Sequence, residues 1–124
     1  MCRCDFPPYR REIKYLDLNH NVSVEILHLE SGSDEIGSIM FSVLENEVRL
    51  SELIIITLYQ NRGYGSYLVK AVQTVAAFSK KPITLFTHLG AKAFFEKLGF
   101  VVTKETDSGF EMTWYPQSLL NRKS

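Results

Sequence analysis

Apolar and polar positions alternate through the first half of this chain, and the period then changes. Tyr9 to Leu18 reads as a first strand, with Ile13, Tyr15 and Asp17 on one face. Asn19-His20-Asn21 is a turn cluster. Val22 to Leu29 alternates cleanly, with Val22, Val24 and Ile26 on one side and Ser23, Glu25 and Leu27 on the other. Ser31-Gly32-Ser33-Asp34 marks the next turn, and Ile36 to Leu44 reads as a strand. Glu45-Asn46-Glu47 then leads into a fourth run, Val48 to Thr57. Four strands with such short connections predict an antiparallel meander.

Beyond Ser66 the spacing becomes helical. Leu68, Val72, Val75 and Ala76 recur along one side of a helix over 66–78, which Lys80-Lys81-Pro82 stops because proline cannot continue it. Ile83 to Phe86 is a short buried strand. Ala91 to Leu98 is a short helix closed by Gly99, a left-handed cap. Phe100 to Thr103 and Phe110 to Trp114 are strands joined by a turn around Asp107-Ser108-Gly109. The order predicts an α+β fold: a mixed, mostly antiparallel sheet with two flanking helices and one parallel crossover through the first helix.

Composition narrows the class. At 124 residues the chain is read as one domain, with an arm over 1–8 and a polar tail over 117–124. Fourteen Lys and Arg balance fourteen Asp and Glu, so no overall field points to nucleic acid or an anionic membrane. No run approaches 18 apolar residues, and charges interrupt every apolar stretch among the first thirty. Cys2 and Cys4 are too few for a closed zinc site or a disulfide framework and read as reduced thiols. A soluble protein of the cytoplasm, without a metal, is the expectation.

The richest local chemistry is Gln60-Asn61-Arg62-Gly63-Tyr64-Gly65, between the apolar run Leu53-Ile54-Ile55-Ile56 and the helix. A strand, a tight glycine turn and a helix N-terminus leave first-turn amides unpaired beside a positive dipole end, which attracts anions. The dinucleotide fingerprint fails, since no third glycine follows at its place, and the lysine of a Walker loop is absent. An unrelated nucleotide-binding α/β domain remains an alternative at this level.

Gln60-x-x-Gly63-x-Gly65 resembles the Q/R-x-x-G-x-G/A loop of the GNAT N-acetyltransferases. Some thirty residues later, Ala91-Lys92-Ala93-Phe94-Phe95-Glu96-Lys97-Leu98-Gly99-Phe100 resembles that family's A-x-x-F-Y-E-K-L-G-F block. The resemblance covers about residues 47–115. It implies a GNAT fold binding acetyl-CoA and passing its acetyl group to a primary amine by direct attack. By position, the amides of Asn61, Arg62, Gly63, Tyr64, Gly65 and Ser66 would cradle the pyrophosphate, with Gln60 opening the loop and Arg62 adding charge. Leu53, Ile54 and Ile55 match the strand where the pantetheine arm pairs with backbone, and the N–H of Ile55 would polarise the thioester carbonyl. Phe94 and Lys97 fall where they would reach the cofactor, although core packing and a solvated lysine explain them as well.

Amide formation needs a neutral amine. A lysine-like amine of pKa about 10.4 is only about 10⁻³ to 10⁻⁴ deprotonated at pH 7, a deficit of roughly 4–5 kcal/mol. Glu52, three residues before Ile55, is the carboxylate best placed to act as base. It reads equally as a solvent-facing strand residue. His88, after the strand 83–86, titrates near working pH and is the second candidate, against the reading of a structural loop histidine.

Two departures from the family stand out. Phe95 occupies the position where the family often has a tyrosine that protonates the leaving thiolate. With a thiol pKa of about 8.5, expelling thiolate at pH 7 costs only about 2 kcal/mol more, so the loss need not abolish turnover. A CoA-binding module with weak or no catalysis is the alternative it opens. Second, only Asn19-His20-Asn21 separates the first two strands, where the family usually inserts two helices over the acceptor site. The acceptor side is therefore expected to be open, or completed by a second subunit. An open groove suits a peptide, a protein or a bulky amine better than a small enclosed metabolite.

Overall fold

A computed structural model describes residues 8–116. Both cysteines and most of the arm and tail lie outside the described residues. Four strands come first: β1 (Tyr9–Asp17), β2 (Val22–Ser31), β3 (Asp34–Val43) and β4 (Val48–Ile55). A 3₁₀ turn over Thr57–Tyr59 leads to α1 (Tyr64–Ser79), β5 (Ile83–Thr87), α2 (Leu89–Lys97), β6 (Val101–Thr106) and β7 (Gly109–Trp114). The seven strands form one sheet in the order β1-β2-β3-β4-β5-β7-β6, parallel at β4–β5 and antiparallel elsewhere. The fold is α+β, as the pattern predicts.

β7 lies between β5 and β6, against sequence order. Its alternation explains this. Phe110, Met112 and Trp114 continue the row of Thr87, Leu85 and Ile83 on β5, whereas every residue of β6 is exposed. A strand that polar cannot be sandwiched between neighbours, so it takes the edge.

Both helices cover the same face of the sheet. Leu68, Val69, Val72 and Ala76 of α1 pack on Leu29, Ile39, Phe41, Val48 and Ile83, with Phe95 of α2 in the same cluster. The helices are tied together by Gln73, whose Nε2 donates to the Leu98 carbonyl at 2.8 Å. Tyr9 of β1 meets Tyr67 of α1, which puts the edge strand under that helix. Nothing among the described residues covers the other face.

Several expected boundaries move for physical reasons. α1 begins at Tyr64 rather than Ser66, because Gly63 adopts φ +88° and serves as its N-cap. It ends at Ser79, capped by Lys80, which is left-handed at φ 61° and directly precedes the Lys81-Pro82 pair. α2 begins at Leu89, two residues early. In β1, Ile13 and Tyr15 do not share a face. Lys14 is an extra residue, so Ile13 opposes Glu25 while Tyr15 opposes Val24. In β2 the helix-facing set is Ser23, Glu25, Leu27 and Leu29. Glu25 is tolerated there because Arg11 Nε donates to it at 2.7 Å and Ser23 Oγ at 2.8 Å.

Candidate functional site

The site begins with a failure of pairing. β4 and β5 are hydrogen-bonded only at Val48–Ile83 and Arg49–Thr84, and then part. A bulge starts the divergence. Met40 opposes Glu52 and Phe41 opposes Leu50, so Ser51 is an extra residue on β4. Two adjacent polar residues, Ser51-Glu52, between Leu50 and Leu53 already break the period of two in the sequence. That slip is the legible trace of the bulge.

Past the bulge, register fixes which backbone groups face the opening. Ile56 N–H donates to the Ile36 carbonyl at 2.8 Å. Polar groups alternate along an antiparallel strand, so Ile54 turns its N–H toward β3, while Leu53 and Ile55 turn theirs toward the gap. Gln60 confirms the direction: its Nε2 donates to the Ile55 carbonyl at 3.0 Å, which ties the start of the glycine loop to the strand end. Gly37 on β3 lets the strands approach here, since a Cβ on it would meet the Ile54 carbonyl and lie 2.7 Å from Ile55 Cδ1.

Across the gap lies the start of α1. Its first helical bond runs from Tyr67 N–H to the Gly63 carbonyl at 3.0 Å, so the amides of Gly65 and Ser66 have no acceptor within the helix. Glycine is the N-cap, no side chain caps the helix, and no acid lies in its first turn. Asn61 is left-handed at φ 65°, completing a tight turn. A Cβ on Gly65 would sit 3.4 Å from Phe94 Cζ and 3.8 Å from Ile55 Cγ1, filling the space between helix and strand. These uncapped donors and this side-chain-free cradle fit a diphosphate followed by a narrow arm.

Two adjoining cavities occupy the gap. The larger, about 710 Å³, lies on the helix side and is lined by Gln60, Asn61, Gly63, Tyr64, Gly65 and Ser66 of the loop, with Leu53, Ile55 and Phe94. The smaller, about 220 Å³, penetrates the sheet and is lined by Ser51, Glu52, Thr87 and Phe95 among others. Leu53, His88, Ala91 and Phe94 line both. The loop and the two candidate bases therefore line a groove made of two cavities with a common wall.

Glu52 is exposed where the smaller cavity reaches the helix-free face of the sheet. His88 is the N-cap of α2, with its ring beside Gly90, where an added Cβ would lie 3.2 Å from Nδ1. Phe95 is buried, packed edge-on against Phe94 and Phe100 at centroid distances of 4.9 and 5.5 Å, and presents no polar atom to the cavity.

Three expected residues stand outside. Ile54 turns its backbone to β3 and its side chain to the helix-free face. Arg62 lies over the Tyr59 ring, 5.7 Å from its centroid, and does not line the groove. Lys97 ends α2, at the opposite end from His88. Conversely, Tyr59, Ser51, Thr87 and Gly90 line the groove without having been singled out in the sequence. Only Ser51 left a signal, through the period slip. Among the described residues no cluster of His, Cys, Asp and Glu is gathered for a metal ion, and no helix is long and apolar enough to cross a membrane.

Comparison with known proteins agrees with this geometry. The family model described as an acetyltransferase (GNAT) domain matches residues 23–102, well over half the chain. No curated protein matches the sequence. Among solved structures, the PaiA N-acetyltransferase from Thermoplasma acidophilum, in complex with coenzyme A, superposes with a TM-score of 0.68 at 22% identity. The match covers 74% of this chain and 60% of that one, so this chain spans less than two thirds of PaiA. YlbP, an N-acetyltransferase from Bacillus subtilis in complex with coenzyme A, gives 0.63 at 20% identity over 76% and 69% of the two chains. The anti-CRISPR protein AcrVA5 gives 0.59 at 24% identity, over 72% of this chain and 97% of that one. At these identities the likeness establishes the fold, and the family model places the chain within it. The splayed sheet, the uncapped glycine corner and the matched segment belong together: this chain is a member of the GNAT acetyltransferase family.

Proposed function

We propose that this domain is an N-acetyltransferase that moves the acetyl group of acetyl-CoA to a primary amine by direct attack. The observation that carries this is the pair of adjoining cavities between β4 and β5. They join the uncapped helix corner at Gly63–Ser66 to Glu52 and His88. The residues at hand fit acetyl-CoA, which supplies an activated acetyl thioester when bound. The amides of Gly65 and Ser66 hold the diphosphate, and Leu53 and Ile55 offer backbone groups to the pantetheine amides.

The chemistry assigned to the chain's own residues is brief. Glu52 takes a proton from the incoming ammonium, leaving the neutral nitrogen to attack. The bond from that nitrogen to the acetyl carbon forms, the carbon–sulfur bond breaks, and the nitrogen gives up its second proton to water or His88, which leaves a neutral amide and the thiolate. The Ile55 N–H, facing the gap, donates to the acetyl oxygen as charge builds there, a contact of the kind that contributes about 3–4 kcal/mol. His88 at the cavity wall is placed to relay a proton. Phe95 supplies none, so the thiolate departs as the anion or takes its proton from water.

That missing hydroxyl favours one rival, a CoA-binding module without turnover. Binding separates neither, since CoA stabilises the folded state of both. Thiol release does. Purified protein with acetyl-CoA and a panel of amines should release free CoA and acetylate one of them. Stabilisation by CoA with no release from any amine would leave the binding module standing, and stabilisation by nucleotides but not CoA would sink both.

A further inference from the structure

The face of the sheet away from the helices can be mapped from strand register. One row across it runs Glu12–Ile26–Met40–Glu52, and the next runs Arg10–His28–Ser38–Ile54. Phe86 stands across the gap from β4. Ile54 and Phe86 are each 44% exposed, and Met40 is half-buried. The smaller cavity connects this face to the groove: Leu53 and Leu85 line it from the helix side, Glu52 and Phe86 from the open side.

The charges on this face are not equivalent. Glu12 is bonded to His28 at 2.7 Å and lies 3.5 Å from Lys14. Glu30 is paired with Arg10 at 3.0 Å, and Glu111 with Arg49 at 3.2 Å. Glu35, at the far end of β3, opposes Glu30 and adds to the field on Arg10. Glu52 has no such base among the described residues. A single unmatched carboxylate therefore sits at the mouth of the cavity, ringed by Met40, Ile54 and Phe86.

We infer that the acceptor is a single primary amine borne on an apolar stretch of polypeptide, a lysine side chain with apolar neighbours, laid across the helix-free face with its ammonium at Glu52. This rests on the acyltransfer proposed above and narrows it. A polycation such as a polyamine needs several unmatched carboxylates close together, and Glu12 and Glu111, on the same face as Glu52, are already paired. A small polar amine would have only one exposed ion pair to hold it, worth about fivefold in affinity at most. A polypeptide adds apolar contact over a face that no element of the described chain covers.

The test is acetyl-CoA turnover, read as thiol release and product mass, with three acceptors. These are an N-blocked peptide with one lysine between leucines, the same peptide with serines in place of the leucines, and spermidine. The expected kcat/KM for the leucine peptide exceeds both others by at least about tenfold. Ile54→Asn, at an exposed position outside the groove lining, should raise KM for the leucine peptide and shrink its advantage over the serine peptide. Phe86→Ser should act in the same direction. Equal or faster turnover of spermidine or of the serine peptide overturns the inference while leaving acyltransfer intact. So does an advantage unchanged in both variants, or a stable dimer by light scattering whose dissociation exposes this face. No release with any of the three, and none across a wider panel of amines, removes the acyltransfer proposal and this inference with it.

Discussion

Gly65 offers a substitution in which stability and binding should move in opposite directions. It is the second residue of α1 and has no left-handed φ, so an ordinary side chain is conformationally allowed. Its Cβ would lie 3.4 Å from the nearest atom of Phe94, close but not forbidding. Replacing it with glutamate gains about 0.5 kcal/mol of helix propensity. An acid in the first turn, where the helix now has none, gains about 0.3–1 kcal/mol more from the dipole. The total, about 1 kcal/mol, corresponds to a rise in Tm of about 3–5 °C for a chain of this size. The same side chain fills the cradle and brings a negative charge to the Gly65 and Ser66 amides. Hydrogen bonds to a charged partner are worth about 1.5–3 kcal/mol each, so losing two weakens CoA by more than about a hundredfold. Thermal melts with and without CoA read both effects. The parent gains about 2.7 kcal/mol at a hundred times Kd, whereas Gly65→Glu should melt higher alone and gain almost nothing from the same CoA. A variant that keeps the CoA shift would place the diphosphate elsewhere. One that melts lower without ligand would refute the helix-cap reasoning.

Three further outcomes are expected. Glu52→Gln should lower kcat by about 10²–10⁴-fold, the usual range for a general base, with the CoA-induced melting shift unchanged. Phe95→Tyr puts a hydroxyl into the smaller cavity, and steady-state rates near pH 7 should rise, by no more than the roughly 30-fold that protonating the thiolate can return. Hydrogen bonding from His28 and Lys14 lowers the pKa of Glu12, and Arg10 lowers that of Glu30. Groups whose folded pKa is depressed stabilise above their ordinary value of about 4.3 and lose that contribution as pH falls through the folded value. Urea midpoints of a Glu12→Gln, Glu30→Gln double variant should therefore fall less than the parent's below that pH, by a small margin because both pairs are exposed.

Much of the fold was legible because it follows from period. Alternation over 22–29 and 36–44 marks β2 and β3, and the Leu68–Val72–Ala76 spacing marks α1. The glycine corner was legible because two glycines spaced by one residue at a helix start have few uses. The strand order was not, since β7 displaces β6 through pairing between distant segments. The face of β1 was misread because the extra residue at Lys14 carries no local signature, while Ser51 carries one in the doubled polar step before Leu53. Ile54 and Lys97 were placed by motif proximity, and register and helix length turn them elsewhere. The short turn at Asn19-His20-Asn21 was legible as a missing insertion, and among the described residues one face of the sheet is left uncovered. Its division into one unmatched carboxylate and several neutralised ones required the cross-strand partners.

A crystal structure with acetyl-CoA bound would decide whether the gap between β4 and β5 is the acyl-donor site. The diphosphate should lie on the amides of Gly65 and Ser66. The thioester oxygen should sit about 2.7–3.1 Å from the Ile55 N–H, with Glu52 on the opposite side of the acetyl carbon. A pantetheine arm running outside the gap, or an Ile55 N–H bonded to protein instead, would contradict direct transfer in this groove.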